Sequence, residues 1–301
     1  MTPDPVAKSL GAAIGAATGT PFDVIAMHPV SGGCIHAALN VTGRTALGEQ
    51  RWFAKVNDAT RAPMFASEAD GLAAIAAANA LHVPRVLTHG KDGERAWIVL
   101  EWLELAPLGA ASASHLGAAL AAQHRIPQAR FGWEHDNFIG ASPQRNGWSD
   151  DWNAFWRDNR LHPQLRFAAK NRLPSRMIDR GERLAADCHE LLRGHAATKS
   201  LLHGDLWSGN AAASDAAHSA VFDPAVYVGD HEADIAMTEL FGGFPPDLLA
   251  AYRAEWPLEP GYTTRRDLYN LYHVLNHANL FAGGYVRQAE QSIERLLAEI
   301  R

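Results

Sequence analysis

The pattern of apolar and polar positions divides the chain into two parts. Within the first hundred residues, five short stretches alternate or form brief apolar runs, which is typical of strands. They cover residues 22–27, 37–42, 51–57, 85–89 and 96–102. Residues 6–17 favour a short helix, and residues 64–81 favour a longer one with a single buried face. The pattern therefore predicts five strands with a helix inserted after the third.

From about Leu105 onward the pattern becomes mainly helical, and the change falls at residues 103–106, where a strand gives way to Leu-Ala-Pro. We therefore predict an α+β protein with the bilobal protein-kinase-like fold. Its small N-lobe, residues 1–104, has a five-stranded antiparallel sheet with one helix and binds the nucleotide phosphates. Its larger, mainly α C-lobe, residues 105–301, carries the catalytic loop and the substrate site.

Composition and charge narrow the class of protein. The 301 residues are 47% hydrophobic and 20% charged, with a formal net charge of −6 and no basic run, which argues against a nucleic-acid partner. Residues 105–124 lack Asp, Glu, Lys and Arg but are mostly alanine and contain Pro107, so a helix is favoured over a membrane span. The N-terminus lacks a basic signal segment, and Cys34 and Cys188 form no C-x-x-C motif. We expect a cytoplasmic protein, either monomer or homodimer.

The segment Leu201–Asp223 carries the most specific chemical pattern. His203, Asp205 and Asn210 follow the spacing H-x-D-x-x-x-x-N, and Asp223 ends a short apolar run thirteen residues later. This layout is typical of kinase-type phosphoryl transfer, in which one Asp orients a hydroxyl nucleophile and an Asn and a second Asp bind Mg²⁺. The pattern predicts Asp205 as the catalytic residue and Asn210 and Asp223 as metal ligands. A polar surface loop is the alternative.

Lys55 and Glu68 lie upstream in the order that a kinase requires. Lys55 stands in the middle of an apolar strand, where a charge is costly unless it is paired, and Glu68 lies on the following helix. The two resemble the ion pair that positions the ATP phosphates. A surface lysine and a surface glutamate are the alternative.

Two further stretches suit a nucleotide. Gly32 and Gly33 lie in a turn between the first two strands and would let the backbone approach phosphate oxygens, although the turn lacks a G-x-G-x-x-G pattern and could be a plain hairpin. Glu101, Trp102 and Leu103 end the fifth strand and are candidates for the hinge that binds adenine through main-chain groups. A simple strand end is the alternative for them.

With these parts in order, the chain resembles the fructosamine kinase family, or ketosamine-3-kinases. The resemblance is carried by S-G-G-C-I, F-G-W-E-H-D-N-F-I-G (131–140), N-G-W-S-D-D-W (146–152), L-L-H-G-D-L-W-S-G-N and F-D-P-A-V-Y-V-G-D-H-E-A-D-I-A. It implies transfer of phosphate from Mg-ATP to the 3-hydroxyl of a ketosamine, either a small molecule or protein-bound, after which the unstable phosphate leaves and the amine is freed. Ribulosamine, erythrulosamine and fructosamine are the candidate sugars.

The resemblance also implies individual roles and marks departures. Asp234 resembles the aspartate that braces the catalytic loop, with a helix N-cap as the alternative. Gly204 replaces the arginine of the protein-kinase H-R-D motif, Pro224 follows the metal-binding Asp, and no A-P-E segment occurs. These departures argue against an activation-loop switch and a peptide substrate. A kinase of aminoglycosides or choline, or a nucleotide-binding pseudokinase, remains an alternative.

Several residues remain as candidates for the substrate or for regulation. Trp207, Asp136 and Asn137 lie in aromatic and acidic stretches that suit a hydroxylated, cationic ketosamine. Cys34 lies in the expected phosphate loop and could couple thiol oxidation to nucleotide binding, or simply pack there. His273 and His277 share a helical face, where a wall of the core or of the substrate site is favoured over a metal pair.

Overall fold

The first part of the chain folds as an antiparallel sheet. The computed structural model describes residues 4–30 and 35–300. The five strands are β1 (Asp23–Pro29), β2 (Ala37–Thr45), β3 (Gly48–Asp58), β4 (Val86–Asp92) and β5 (Arg95–Glu101). Every neighbouring pair is antiparallel and the strand order is β1-β2-β3-β5-β4, which confirms the predicted sheet.

Two helices cover opposite faces of this sheet. Helix α1 (Pro5–Thr18) packs on the face that carries Trp97 and Val99, whereas α2 (Ala62–Ala78) packs on the face that carries Ile98 and Leu100. Because successive side chains of a strand point to opposite faces, β5 is apolar at consecutive positions. Helix α2 ends earlier than the sequence predicts, since Asn79 adopts a left-handed conformation with φ of 53°.

The remainder of the chain is mainly helical. Its helices are α3 (Ala110–His124), α4 (Trp152–Trp156), α5 (His162–Lys170), α6 (Ser175–Asp187), α7 (Glu232–Leu240), α8 (Pro246–Glu255), α9 (Tyr262–Phe281) and α10 (Gly284–Glu299). A π-helical turn, Arg157–Leu161, joins α4 to α5. Three short antiparallel pairs are formed by β6 (Asn137–Ile139), β7 (Ser142–Gln144), β8 (Ser200–Leu202), β9 (Ala211–Ala213), β10 (Ser219–Val221) and β11 (Tyr227–Gly229).

One hydrophobic cluster joins the sheet to the helical part. Phe65 of α2 and Leu100 of β5 lie in the same buried cluster as Leu116 of α3 and Leu206, which belongs to the predicted catalytic loop (residues 203–210). Helix α3 starts at Ala110, later than the sequence predicts, because the main chain at Ala106 pairs with β9. The division into lobes at residue 104 stays a prediction. Among the described residues, no helix has the length and apolarity needed to cross a bilayer.

Candidate active site

The catalytic loop begins directly after β8 and depends on a glycine. Gly204 has a φ of 82°, a conformation that L side chains rarely adopt. A Cβ at this position would overlap the carbonyl oxygen of Ala225, and the amide of Ala225 donates a 2.8 Å hydrogen bond to the carbonyl of His203. The loop therefore lies so close to the chain after Asp223 that the arginine of protein kinases would not fit.

Asp234, in the first turn of α7, holds this loop through hydrogen bonds to its main chain. Its carboxylate accepts hydrogen bonds from the amides of His203 (2.7 Å) and Gly204 (2.8 Å), and the imidazole of His124 lies 3.2 Å from it. Burial alone would raise the pKa of Asp234, but the His124 hydrogen bond and the neighbouring imidazoles hold it below its ordinary value. These contacts confirm the bracing role, and α7 already begins at Glu232, so Asp234 is not its N-cap.

Asn210 positions the carboxylate of Asp205. Its Nδ2 donates to the carbonyl oxygen of Asp205 at 2.8 Å and to the Asp205 Oδ2 at 3.3 Å. Burial and the negative charge of Asp223 raise the pKa of Asp205 to about 7, although the Asn210 hydrogen bond opposes the rise. The amide of Phe222 donates to the carbonyl of Asn210 at 3.0 Å, so the strand that leads to Asp223 lies beside the loop.

Lys55, Glu68 and Asp223 are brought together as the order of the motifs suggests. The Lys55 Nζ lies 2.7 Å from a Glu68 carboxylate oxygen and also contacts Asp223. Burial by itself lowers the pKa of Lys55, but these two carboxylates hold it above its ordinary value. Burial raises the pKa of Glu68 to about 6, against the attraction of Lys55.

The backbone of Asp223 is strained. Its φ is 58°, in the left-handed region, and it precedes Pro224, which disfavours helical conformations in the residue before it. Its side chain remains 43% exposed although it contacts the buried Lys55. Strained backbone of this kind is concentrated at functional sites, where the surrounding structure imposes it.

His36 is a neighbour of this site that the sequence analysis did not single out. Its ring packs against Phe65 of α2 in a tilted contact with a centroid distance of 4.7 Å, and its Nδ1 lies 2.9 Å from the Asn57 amide nitrogen. Burial and the charge of Lys55 lower the pKa of His36 to about 4, so the ring is neutral at physiological pH. Gly32, Gly33 and Cys34, which precede it, lie outside the described residues.

The hinge candidates lie where β5 ends. The Glu101 amide donates to the Arg85 carbonyl at 2.9 Å, and the Trp102 indole donates to Glu104 at 3.0 Å. The Arg51 guanidinium lies 5.5 Å from the centroid of the Trp102 ring. Binding of adenine by Glu101, Trp102 and Leu103 stays a prediction.

Trp207 forms an exposed platform beside the catalytic loop. Its indole is 37% exposed and lies over Gly209, where any Cβ would overlap the six-membered ring. The next residue, Ser208, is in contact range of Gly243, in the loop after α7. A large, partly exposed aromatic face two residues from Asp205 suits the apolar face of a sugar.

An aromatic cluster adjoins the loop that meets Ser208. The His277 ring lies 4.8 Å from Phe241, 5.0 Å from Tyr285 and 5.7 Å from Phe281, measured between centroids. Phe281 is 59% exposed. Burial lowers the pKa of His277, so the cluster carries no charge of its own and could attract a cation through its ring faces.

The two candidates from the 131–152 stretch differ in exposure. Asp136 is exposed, and its carboxylate accepts a 2.7 Å hydrogen bond from the Asn146 amide. Asn137 is buried; its Nδ2 donates to the Val226 carbonyl at 2.8 Å, and its Oδ1 accepts from Gln144 and Asn146. Contact of either residue with a substrate stays a prediction.

The donor set fits a hard divalent cation. Asp223 offers a partly exposed carboxylate, and the orientation of the Asn210 amide leaves its Oδ1 as a further oxygen ligand. The charge of Asp223 raises the pKa of Asp205, and a cation between these groups would relieve that repulsion. Asn210 and Asp223 are therefore the residues that could hold Mg²⁺.

Comparison with known proteins gives one consistent result. The fructosamine kinase family model matches residues 6–299. A probable ketoamine kinase from Synechocystis sp. is 42% identical over 293 residues, which cover 96% of each chain. Solved structures of candidate fructosamine-3-kinases from Haemophilus somnus and Thermobifida fusca superpose with TM-scores of 0.85 and 0.82, and each protein is 28% identical in sequence. Both matches cover 96% of this chain, and they cover 97% and 99% of the respective relative. The chain therefore has the protein-kinase-like α+β fold that the sequence predicts, and it belongs to the fructosamine kinase family of phosphotransferases.

Proposed function

We propose that the protein is a Mg-ATP-dependent ketosamine-3-kinase of the cytoplasm. The observation that carries the proposal is the Asp205–Asn210 loop facing a Lys55–Glu68–Asp223 cluster, beside an exposed Trp207. The acceptor is the 3-hydroxyl of ribulosamine, erythrulosamine or fructosamine. Loss of the 3-phosphate from the product would then release the amine and complete deglycation.

In this mechanism each residue has a task that its surroundings support. Mg-ATP supplies, when bound, the phosphoryl group and the charge that stabilises its transfer. Lys55, kept protonated by Glu68 and Asp223, would neutralise phosphate oxygens. The Asp205 carboxylate would orient the sugar hydroxyl and accept its proton, and a pKa of about 7 suits a base that must work near neutrality.

The aromatic surface supports a ketosamine, free or protein-bound, as the substrate. Trp207 would lie against the sugar, and the cluster around His277, with Phe241 and Phe281, would face the amine end. The secondary ammonium group of a ketosamine joins the sugar to the carbon chain of the amine, and a neutral aromatic surface attracts such a cation. Asp136, which is exposed and accepts a hydrogen bond from the Asn146 amide, is a further substrate candidate.

A substrate panel tests the proposal. ADP release from Mg-ATP would be measured with ribulose-lysine, erythrulose-lysine and fructose-lysine, and with kanamycin and choline as kinase substrates of other classes. We expect turnover on at least one ketosamine and none on the last two. Turnover only on kanamycin or choline would replace the substrate and keep the kinase. ATP binding without turnover on any of the five would favour a pseudokinase.

A further inference from the structure

One segment of the chain contacts both helix α2 and the strand that follows Asp223. Residues 131–146, here called the tie segment, contain β6 and β7. Near its start, Gly132 and Val228 exchange two hydrogen bonds of 2.8 Å between their main-chain groups. Gly132 has a φ of 105°, and a Cβ there would overlap the Gly147 carbonyl, so this approach requires glycine.

Two buried side chains of the tie segment fix the chain after Asp223. Asn137 donates to the Val226 carbonyl at 2.8 Å, and Gln144 donates to the Ala225 carbonyl at 3.0 Å. The Tyr272 hydroxyl of α9 donates to the Gln144 Oε1 at 2.8 Å, so the tie segment is also bonded to the helical core. The corresponding region of a protein kinase begins its activation loop, whose order is controlled by phosphorylation.

The same segment holds helix α2. The Trp133 indole donates to the Asp70 Oδ2 at 3.0 Å, and the His135 Nε2 lies 3.3 Å from the same oxygen. Trp133 is partly buried and packs against a cluster of the helical part and against the cluster that joins this part to the sheet. Asp70 lies two residues after Glu68, so this contact fixes the rotation of the helix that presents Glu68 to Lys55.

Helix α2 also packs directly against residues 223–226, the turn that begins with the proposed metal ligand Asp223. A Cβ at Gly71 would lie 3.2 Å from the Pro224 Cγ and 3.3 Å from Val226 side-chain carbons. Glycine at this position allows the helix to approach the turn closely. The helix, the turn and the tie segment therefore form a closed set of contacts around the Lys55–Glu68–Asp223 cluster.

We propose that Asp70 is a positioning residue: through Trp133 and the tie segment, it holds α2 with Glu68 facing Lys55 and so presets the phosphate-binding site without phosphorylation. The proposal rests on the kinase activity proposed above. Asp70 acts through Glu68 and Lys55 and does not itself contact the nucleotide. Its partly exposed carboxylate makes a small contribution to global stability, since polar contacts near the surface are weak.

Three variants separate positioning from stability. Asp70→Ala removes the acceptor, Trp133→Phe removes the donor but keeps a ring, and Asp70→Asn keeps an oxygen that can accept from the indole. Asp179→Ala, an exposed carboxylate on α6, is the matched control. Steady-state kinetics would be combined with amide hydrogen exchange over Ala62–Ala78, followed on the protein without nucleotide.

We expect Asp70→Ala and Trp133→Phe each to lower kcat/KM for Mg-ATP about tenfold, because each variant loses one charge-assisted hydrogen bond. The KM for the ketosamine should not change. Exchange should rise in α2 and not in α9. Asp70→Asn should restore most of the activity, and the double variant Asp70→Ala with Trp133→Phe should be no worse than either single one. Asp179→Ala should match the unaltered protein.

Either of two results would overturn the proposal: unchanged α2 exchange and kinetics in Asp70→Ala, or a uniform rise in exchange across the chain with equal effects on both substrates. The exchange measurement does not require turnover. Failure of the unaltered protein to phosphorylate any ketosamine would therefore count against the proposed function, while exchange in α2 still decides whether Asp70 holds the helix.

Discussion

The amide of Gly204 donates a 2.8 Å hydrogen bond to the buried carboxylate of Asp234, and the amide of His203 donates to the other oxygen at 2.7 Å. Two successive backbone N–H groups of the catalytic loop thus share one side chain from α7. Among residues 4–30 and 35–300, neither amide donates to a main-chain carbonyl, so both depend on Asp234 for their partner. The position of Asp205, one residue later, follows from this brace.

Asp234→Ala should therefore destabilise the fold and disable the loop. Leaving two buried amides without an acceptor costs about 2–4 kcal/mol of the free energy of unfolding. Urea denaturation would measure that loss, and kcat should fall more than 10-fold at temperatures where the variant is folded. Asp179→Asn, at an exposed position on α6, is the control. A change in stability below about 0.5 kcal/mol would contradict the bracing role.

Asp205→Asn should abolish turnover while the nucleotide still binds. An amide cannot accept the hydroxyl proton, and removal of a general base typically costs 10²–10⁴-fold in rate, an order-of-magnitude range. Calorimetric titration with Mg-ATP would measure binding, and ADP release would measure turnover. Asp215→Asn, in the exposed turn after β9, should leave both unchanged. Full turnover in Asp205→Asn would remove this residue from the mechanism.

The pH profile should depend on the concentration of Mg-ATP. The pKa of Asp205 is about 7, raised by burial and by the charge of Asp223, and the base must be deprotonated to act. The rate at low Mg-ATP should therefore fall as the pH drops below about 7. A cation at Asp223 removes the repulsion, so saturating Mg-ATP should move the acidic limb to lower pH. A limb at the same pH under both conditions would contradict this coupling.

The sequence predicts those parts of the site whose residues lie close together along the chain, in one loop or at the end of one strand. The spacing of Asp205 and Asn210 sets a single loop, and the apolar run before Asp223 identifies its strand. The tie between Asp70 and Trp133 joins residues 63 positions apart, with no motif spacing to reveal it. Similarly, the sequence marks Asn137 only as a polar residue in an aromatic stretch, and the fold shows that its amide donates to the main chain at Val226.

The position of the Trp207 ring requires glycine at position 209. Alanine at this position would overlap the indole ring and displace it. Gly209→Ala should therefore raise the KM for the ketosamine several-fold, because about 1 kcal/mol of stacking on the indole is lost. Trp207→Ala should cause a similar loss, and the double variant should match Trp207→Ala alone, since the clash no longer exists. Gly284→Ala, where a Cβ meets open space, is the control. Additive losses in the double variant would contradict the contact.

His195 gives the fold a pH-dependent contribution to stability. Its Nε2 lies 2.6 Å from the buried Asp230 and its Nδ1 lies 3.0 Å from Glu259. Burial works against the charged ring, but the hydrogen bond and charge of Asp230 hold the pKa of His195 above its ordinary value. A raised folded-state pKa means that the stabilisation is complete below about pH 6.5, the unfolded-state value, and is lost as the pH rises through the folded-state pKa.

His195→Gln should therefore reduce the free energy of unfolding most at pH 5.5, by about 1–3 kcal/mol for a charge-assisted hydrogen bond. The gap to the unaltered protein should narrow as the pH rises above 6.5. Urea denaturation at pH 5.5, 7.0 and 8.5 would measure it, with His189→Gln, at an exposed position, as the control. A gap of constant size over this range would show that His195 contributes only through packing and neutral hydrogen bonds, because a charged imidazolium between two carboxylates must lose its advantage once it deprotonates.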